Sequence, residues 1–111
     1  MAIETFRHAG KDYNITKVSL RGTVSDTIAS GVTGKKVRVF RLNIMGTATS
    51  RLIFRTNTTS IMEVRTATLI NHFYFENFDI PVIVSNAGES LIVKNSDAAG
   101  IHEITAWYTV E

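Results

Sequence analysis

The last strand-like segment of the chain, residues 102–110, alternates between two kinds of side chain with a period of two. One set of alternate positions carries His102, Ile104, Ala106, Tyr108 and Val110. The other set carries Glu103, Thr105, Trp107 and Thr109. Because successive side chains of a β-strand point to opposite faces of a sheet, this pattern predicts a strand with the first set on the core face.

Similar short segments precede it, separated by turns rich in Gly, Asn, Ser, Asp and Thr. They are Tyr13–Leu20, Thr23–Ala29, Lys36–Ile44, Ser50–Thr56, Ser60–Val64, Leu69–Phe75, Ile80–Val84 and Ser90–Asn95. No segment sustains the 3.6-residue apolar period of a helix. The sequence therefore predicts an all-β fold, an antiparallel β-sandwich of about eight strands. We assign residues 13–111 to this single domain and the polar, aperiodic residues 1–12 to an N-terminal arm.

The apolar face of each predicted strand indicates which residues form the core. We expect nine side chains to be largely buried: Val39, Leu42, Ile44, Leu52, Phe54, Leu91, Val93, Ile104 and Tyr108.

The predicted strand Lys36–Ile44 changes parity near its middle. Apolar residues occupy alternate positions up to Val39, and the alternation resumes one position out of phase from Phe40. A β-bulge at Val39–Phe40 lets both halves face one core. The same shift places three cationic side chains on one solvent face: Lys36, Arg38 and Arg41. We interpret this face as a candidate docking strip for an anionic partner; the alternative is a solvated face that discourages edge pairing.

The net charge of +2 is unevenly distributed along the chain. Residues 1–55 contain ten Lys/Arg against three Asp/Glu, a net of +7, and residues 56–111 contain two against seven, a net of −5. One interpretation is a dipolar protomer that docks its basic face on an acidic neighbour. The other is that strand pairing cancels the charge within one subunit. A nucleic-acid partner is not expected, because the basic residues lack interleaved aromatics for base stacking.

The sequence contains no arrangement typical of an active site or a metal site. There is no Cys, and His8, His72 and His102 are too far apart for the short spacings of a zinc site. Glu76 and Asp79 form a near pair on a strand-to-loop segment, without the environment that a catalytic acid needs. We therefore predict a protein that is not an enzyme and that has no cofactor. No apolar run approaches the ~20 residues that span a bilayer, so no membrane association is expected.

Aromatic residues provide the candidate contact positions. Four aromatics occur within the short range 73–78, so an alternating strand places some of them on each face. Tyr74 and Phe78 belong to this group, and Trp107 falls on the polar face of the last strand. We consider two roles for these three residues: subunit contacts or a sugar-stacking platform. The alternative is burial beneath loops.

Three stretches resemble the small virion proteins of tailed bacteriophages. These stretches are Val24–Val39 with its Thr33-Gly34-Lys35-Lys36 turn, Asn86–Val93 with its Gly-Glu-x-Leu strand entry, and Gly100–Glu111. The resemblance covers roughly residues 15–111. The chain departs from this family at Phe73–Pro81, where a Gly/Pro/Trp-rich turn is expected.

The resemblance implies a jelly-roll sandwich that decorates or cements the capsid exterior, often as a trimer. Its partner would be the major capsid protein, and it would be made in the host cytoplasm and located on the virion surface. The alternative is a tail or fibre module that binds a host glycan through Trp107 or the aromatics of residues 73–78. A cupin-like hydrolase or isomerase is a third possibility, which fails for lack of a His/Glu ligand set.

Overall fold

Two antiparallel β-sheets pack face to face in the computed structural model, which confirms the predicted all-β sandwich. The structure describes residues 2–8, 10–22, 25–46, 50–66, 71–95 and 101–111. The strands are β1 (Ala2–His8), β2 (Lys11–Gly22), β3 (Asp26–Ala29), β4 (Val37–Gly46), β5 (Ser50–Arg55), β6 (Ser60–Thr66), β7 (Asn71–Glu76), β8 (Ile83–Val84), β9 (Leu91–Asn95) and β10 (His102–Val110).

The six-stranded sheet has the order β1-β2-β10-β4-β7, and β8 also pairs with β4. The four-stranded sheet has the order β3-β9-β5-β6. The pairing is nested along the chain, because early strands pair with late ones in reverse order: β2 with β10, β3 with β9, β4 with β7 and β8, and β5 with β6. The first half of the chain therefore lies largely against the second half.

The core lies between the sheets, and the nine side chains predicted to form it are all buried. The alternation of β10 is confirmed from residue 102 to residue 108, where His102, Ile104, Ala106 and Tyr108 are buried. It does not hold at the end of the strand, where Thr109 is buried and Val110 is only partly buried. Fully buried Phe54 and Leu91 come from the four-stranded sheet and pack in the same cluster as Leu42 and Ile44 of the six-stranded sheet. Burial of this continuous apolar cluster is the main source of stability for such a small sandwich.

The predicted β-bulge is confirmed in β4. Trp107 lies opposite Arg41 and Tyr108 lies opposite Val39, so Phe40 is the extra residue with no partner on β10. Val39 and Leu42 both point into the core across this irregularity. The two residues between them, Phe40 and Arg41, consequently share the outer face. Phe40 was expected to face the core with Leu42 and Ile44, and that part of the prediction is wrong, because the extra residue of the bulge turns outward.

The N-terminal segment is more regular than its composition indicates. Residues 1–12 were expected to form an arm, but Ala2–His8 pairs along its whole length with Lys11–Lys17, through a turn in which Gly10 has φ of 79°. An edge strand needs backbone pairing on only one side, so it can form without the alternation of a buried strand.

Some predicted strand limits differ from those observed. The expected strand Ile80–Val84 is reduced to Ile83–Val84, because the chain leaves the sheet at Asn77 and returns to it at Val82. The predicted starts at Thr23 and Leu69 lie outside the described residues.

Candidate functional site

The bulge in β4 turns Phe40 outward and places it beside Arg41 on the solvent side of the six-stranded sheet. Phe40 is nevertheless buried, in a second apolar cluster with Ile15 of β2 and Phe78. Trp107 packs against this cluster from β10 and is half-buried. The outer face of this sheet therefore has a small apolar core of its own, which we call the outer cluster.

Residues 77–82 cover the outer cluster. The Asn77 N–H donates to the Phe40 carbonyl at 2.9 Å, and the Val82 N–H donates to the Val39 carbonyl at 2.8 Å. Between these two anchors, the Asn77 side-chain oxygen accepts hydrogen bonds from the backbone N–H groups of residues 79 and 80 at 3.0 and 2.9 Å. Such an Asx turn folds the loop back on itself and brings Phe78 over Phe40.

A cross-strand row places cations beside the Trp107 ring. Lys17 of β2 and Arg41 of β4 are the direct register partners of Trp107 on its two sides. Lys17 Nζ lies 5.4 Å from the ring centroid and Arg41 Cζ lies 5.0 Å from it. Both distances lie within the range of cation–π attraction. Arg41 Cζ is also 5.8 Å from the Phe78 ring centroid.

The row continues into β7, where Glu76 is the register partner of Arg41. Arg41 Nε lies 3.3 Å from Glu76 Oε2, which is an ion-pair distance, although this buried nitrogen makes no hydrogen bond in the described part of the structure. The Tyr74 hydroxyl donates a hydrogen bond to the same carboxylate. That bond raises the pKa of Tyr74, because loss of the hydroxyl proton would leave a phenolate beside the negative carboxylate.

The structure brings together four of the six residues predicted as contacts. Arg41, Phe78 and Trp107 lie in or against the outer cluster, and Tyr74 reaches it through Glu76. The other two lie toward the start of β4. Arg38 Nε is 3.8 Å from Glu111 Oε1, and exposed Lys36 exchanges two backbone hydrogen bonds with Glu111.

Sequence reasoning did not assign Ile15, Lys17 and Glu76 to this site. Ile15 and Lys17 lie on the same face of β2, and most residues of that face are polar. The two-residue periodicity of the strand therefore gave no indication that Ile15 is buried. Only the pairing of β2 with β10 and of β4 with β7 places these residues around Trp107.

The charge imbalance between the two halves of the chain is largely cancelled within the subunit at the described ion pairs. Four pairs join a basic residue of the first half to an acidic residue of the second: Arg21–Glu103, Arg38–Glu111, Arg41–Glu76 and Arg51–Glu63. Nested strand pairing is the cause, because it sets early strands against late ones. The observation favours internal cancellation over a dipolar protomer for these residues.

His102 is a buried titratable group at the other end of β10. It is completely inaccessible to solvent, and its partners across the sheet are Gly22 and Gly46. Its Nδ1 lies 3.4 Å from the Asn95 amide nitrogen, and its Nε2 makes no hydrogen bond to any described residue. Burial lowers the pKa of His102, an effect that the negative charge of Asp26 opposes.

Within the described ranges, no three or more His, Asp or Glu side chains are grouped to hold a metal ion. The same part of the chain contains no helix long and apolar enough to cross a membrane. In comparisons with known proteins, no family model matches the chain and no curated protein matches it.

Proposed function

We propose that this chain is a non-enzymatic structural protein of a tailed-phage virion that decorates and stabilises the capsid exterior. Its partner is the major capsid protein, and its assembled form is a trimer. The observation that carries the proposal is a set of three exposed apolar side chains on β4, β7 and the loop that follows β7, which we call the exposed strip. Tyr74 is 52% exposed, Ile80 is 72% exposed and Met45 is 39% exposed.

The position of this strip suits it to assembly. Tyr74 lies on β7, which is an edge strand of the six-stranded sheet, and Met45 lies opposite β7 on the neighbouring strand. Ile80 belongs to the loop that leaves β7. Apolar side chains at the edge of a sheet favour contact with another protein surface. The outer cluster anchors the loop from below, so the strip is presented on a well-packed support.

The nested strand pairing supports the finer fold expectation. We propose that the sandwich is a jelly roll, in which two four-stranded sheets are wound from paired halves of one chain. In that scheme β2, β10, β4 and β7 form one sheet, and β3, β9, β5 and β6 form the other. The strand β1 then extends the first sheet at its edge. Fold alone does not choose a function, so the exposed strip remains the main argument.

A glycan-binding tail or fibre module is the alternative, and the surroundings of Trp107 disfavour it. A sugar-stacking platform needs an open ring face. Lys17 and Arg41 approach this ring from both flanking strands, and the ring also packs against the outer cluster. These contacts support a role for Trp107 in holding the sheet face together.

The test adds purified protein to decoration-free capsids and measures co-sedimentation and the melting temperature of the particles. A ligand that binds only the assembled shell stabilises it by mass action, so occupied capsids should melt at a higher temperature. The double variant Tyr74→Ser with Ile80→Ser should lose co-sedimentation. The control Val32→Ser removes a side chain that is also exposed, in the turn before β4, and should bind like the wild type.

Two results would overturn the proposal. One is no co-sedimentation of the wild-type protein at low and moderate salt. The other is specific glycan binding that Trp107→Ala abolishes while particle melting stays unchanged.

A further inference from the structure

The outer face of the four-stranded sheet carries an excess of positive charge among its described residues. Leu52, Phe54, Val64 and Val93 point into the core, so the alternate positions of these strands point outward. The charged side chains at those outward positions are Arg51, Arg55, Arg65, Lys94 and Glu63. Four cations against one carboxylate leave an excess of three positive charges.

The arrangement of two of these cations is electrostatically unfavourable without a counterion. Arg51 and Arg65 are directly opposite each other across β5 and β6, and like charges in such a pair destabilise a sheet. Glu63 accepts hydrogen bonds from both: from Arg51 Nε at 2.6 Å and Nη2 at 3.1 Å, and from Arg65 Nε at 2.9 Å. The Arg51 bond is the main cause that lowers the pKa of Glu63. One carboxylate is thus shared between two guanidinium groups.

The other two cations have no carboxylate in the described contacts of this face. Arg55 donates to the backbone carbonyls of Thr56 and Asn57, which are neutral acceptors. Lys94 is exposed and lies opposite Ile53. The six-stranded sheet differs, because three of its outward arginines each have a separate carboxylate: Arg21 has Glu103, Arg38 has Glu111 and Arg41 has Glu76.

Apolar side chains lie between the cations. Ile53 is half-buried, as is Ile92 opposite Arg55, and Ile61 is exposed beside them. A shallow depression of about 200 Å³ is lined by Arg51, Ile53, Ser60, Ile61, Met62 and Glu63. No aromatic ring occurs at the described outward positions of this face, so a platform for stacking bases is missing there.

We infer that the outer face of the four-stranded sheet is a docking surface for a carboxylate-rich protein surface. Arg51 already binds a carboxylate with two nitrogens, which is the geometry that arginine offers to Asp and Glu side chains. The isoleucines add apolar contact of the kind found at protein interfaces. This surface lies on the sheet opposite to the Tyr74 strip, and the inference stands independently of the virion role.

The test measures binding of a fluorescently labelled poly-L-glutamate peptide by anisotropy, with labelled duplex DNA as the competing class of ligand. The wild type should bind the acidic peptide, and its affinity should fall by about tenfold between about 50 and 300 mM NaCl. The double variant Arg65→Glu with Lys94→Glu changes two exposed side chains and should weaken binding by about tenfold or more. The matched control Arg21→Glu with Lys35→Glu makes the same change in net charge at two exposed positions outside this face, and its affinity should stay within about twofold of the wild type.

Three results would overturn the inference. An equal loss of affinity in both double variants would show that only net charge matters. Tighter binding of duplex DNA than of the acidic peptide would assign the face to nucleic acid. Absence of binding by the folded wild type at about 50 mM salt would remove the docking surface altogether.

Discussion

The ring of Phe78 lies parallel to the ring of Phe40, with 5.8 Å between the centroids and 4° between the planes. The two rings stack on the outside of the six-stranded sheet, away from the main core. Phe40 faces outward because of the bulge in β4, and Phe78 reaches it because the Asn77 turn folds the loop back. This pair joins an irregular strand to an irregular loop.

Truncation of Phe78 should therefore destabilise the protein although the residue belongs to a loop. Phe78→Ala removes a ring that is only 9% exposed and should lower the free energy of unfolding by about 2–4 kcal/mol. Ile80→Ala, in the same loop and largely exposed, should change it by less than about 0.5 kcal/mol. Urea denaturation measures both. Equal effects of the two variants would contradict the structural role of the stack.

Truncation of a side chain in the main core should destabilise the protein by a similar amount at each of two positions. Phe54→Ala and Leu91→Ala each empty a completely buried site and should cost about 2–5 kcal/mol of unfolding free energy. Val32→Ala, at an exposed position, should stay within about 0.5 kcal/mol of the wild type in the same assay. A loss below about 1 kcal/mol for both core variants would show that the two sheets do not pack as described.

Stability should also depend on the protonation of His102. Its folded-state pKa is below the ordinary value of 6.5, so the unfolded chain binds more protons as the pH falls past that value. The contribution of neutral His102 to the free energy of unfolding should be complete above pH 6.5. It should decrease as the pH falls toward the lowered pKa of the folded state. His102→Gln should flatten this dependence, measured by urea denaturation between about pH 8 and 5. An unaltered slope in His102→Gln would contradict the lowered pKa of His102.

The backbone around Gly31 leaves no space for a larger side chain at that position. A Cβ atom built there would lie 2.3 Å from the Gly88 carbonyl oxygen, so one of the two backbone segments would have to move. Gly31→Ala should destabilise the protein by about 1–3 kcal/mol, whereas Ser30→Ala at the exposed neighbouring position should be nearly neutral. Thermal unfolding of the two variants decides this, and a neutral Gly31→Ala would show that the two loops do not approach as closely.

The exposed strip should lead to self-association. We expect a cyclic trimer at tens of micromolar protein, measured by light scattering after size-exclusion chromatography. Tyr74→Ser should shift the population toward monomer, because it removes a half-exposed apolar group from the β7 edge. A wild-type protein that stays strictly monomeric would mean that a trimer can form only on the capsid surface.

Local sequence determined the strands and the faces they bury. The alternation in residues 102–108 and the presence of a bulge in β4 each depend only on the two-residue period of a strand, so both could be predicted, whereas the outward direction of Phe40 could not. The same reasoning placed Trp107 on the polar face of its strand. It failed for Ala2–His8, because an edge strand is specified by its partner and has no buried alternation to signal it.

Tertiary structure decided which residues meet. The positions of residues along the chain do not predict that Lys17, Trp107, Arg41 and Glu76 lie in one cross-strand row. That row exists because β2, β10, β4 and β7 are neighbours in the sheet. The same nested pairing sets basic residues of the first half against acidic residues of the second on the six-stranded sheet, whereas the outer face of the four-stranded sheet has excess positive charge among its described residues. Strand order is a long-range property, fixed by the burial of the whole core, and for this reason the candidate surfaces became visible only in the folded chain.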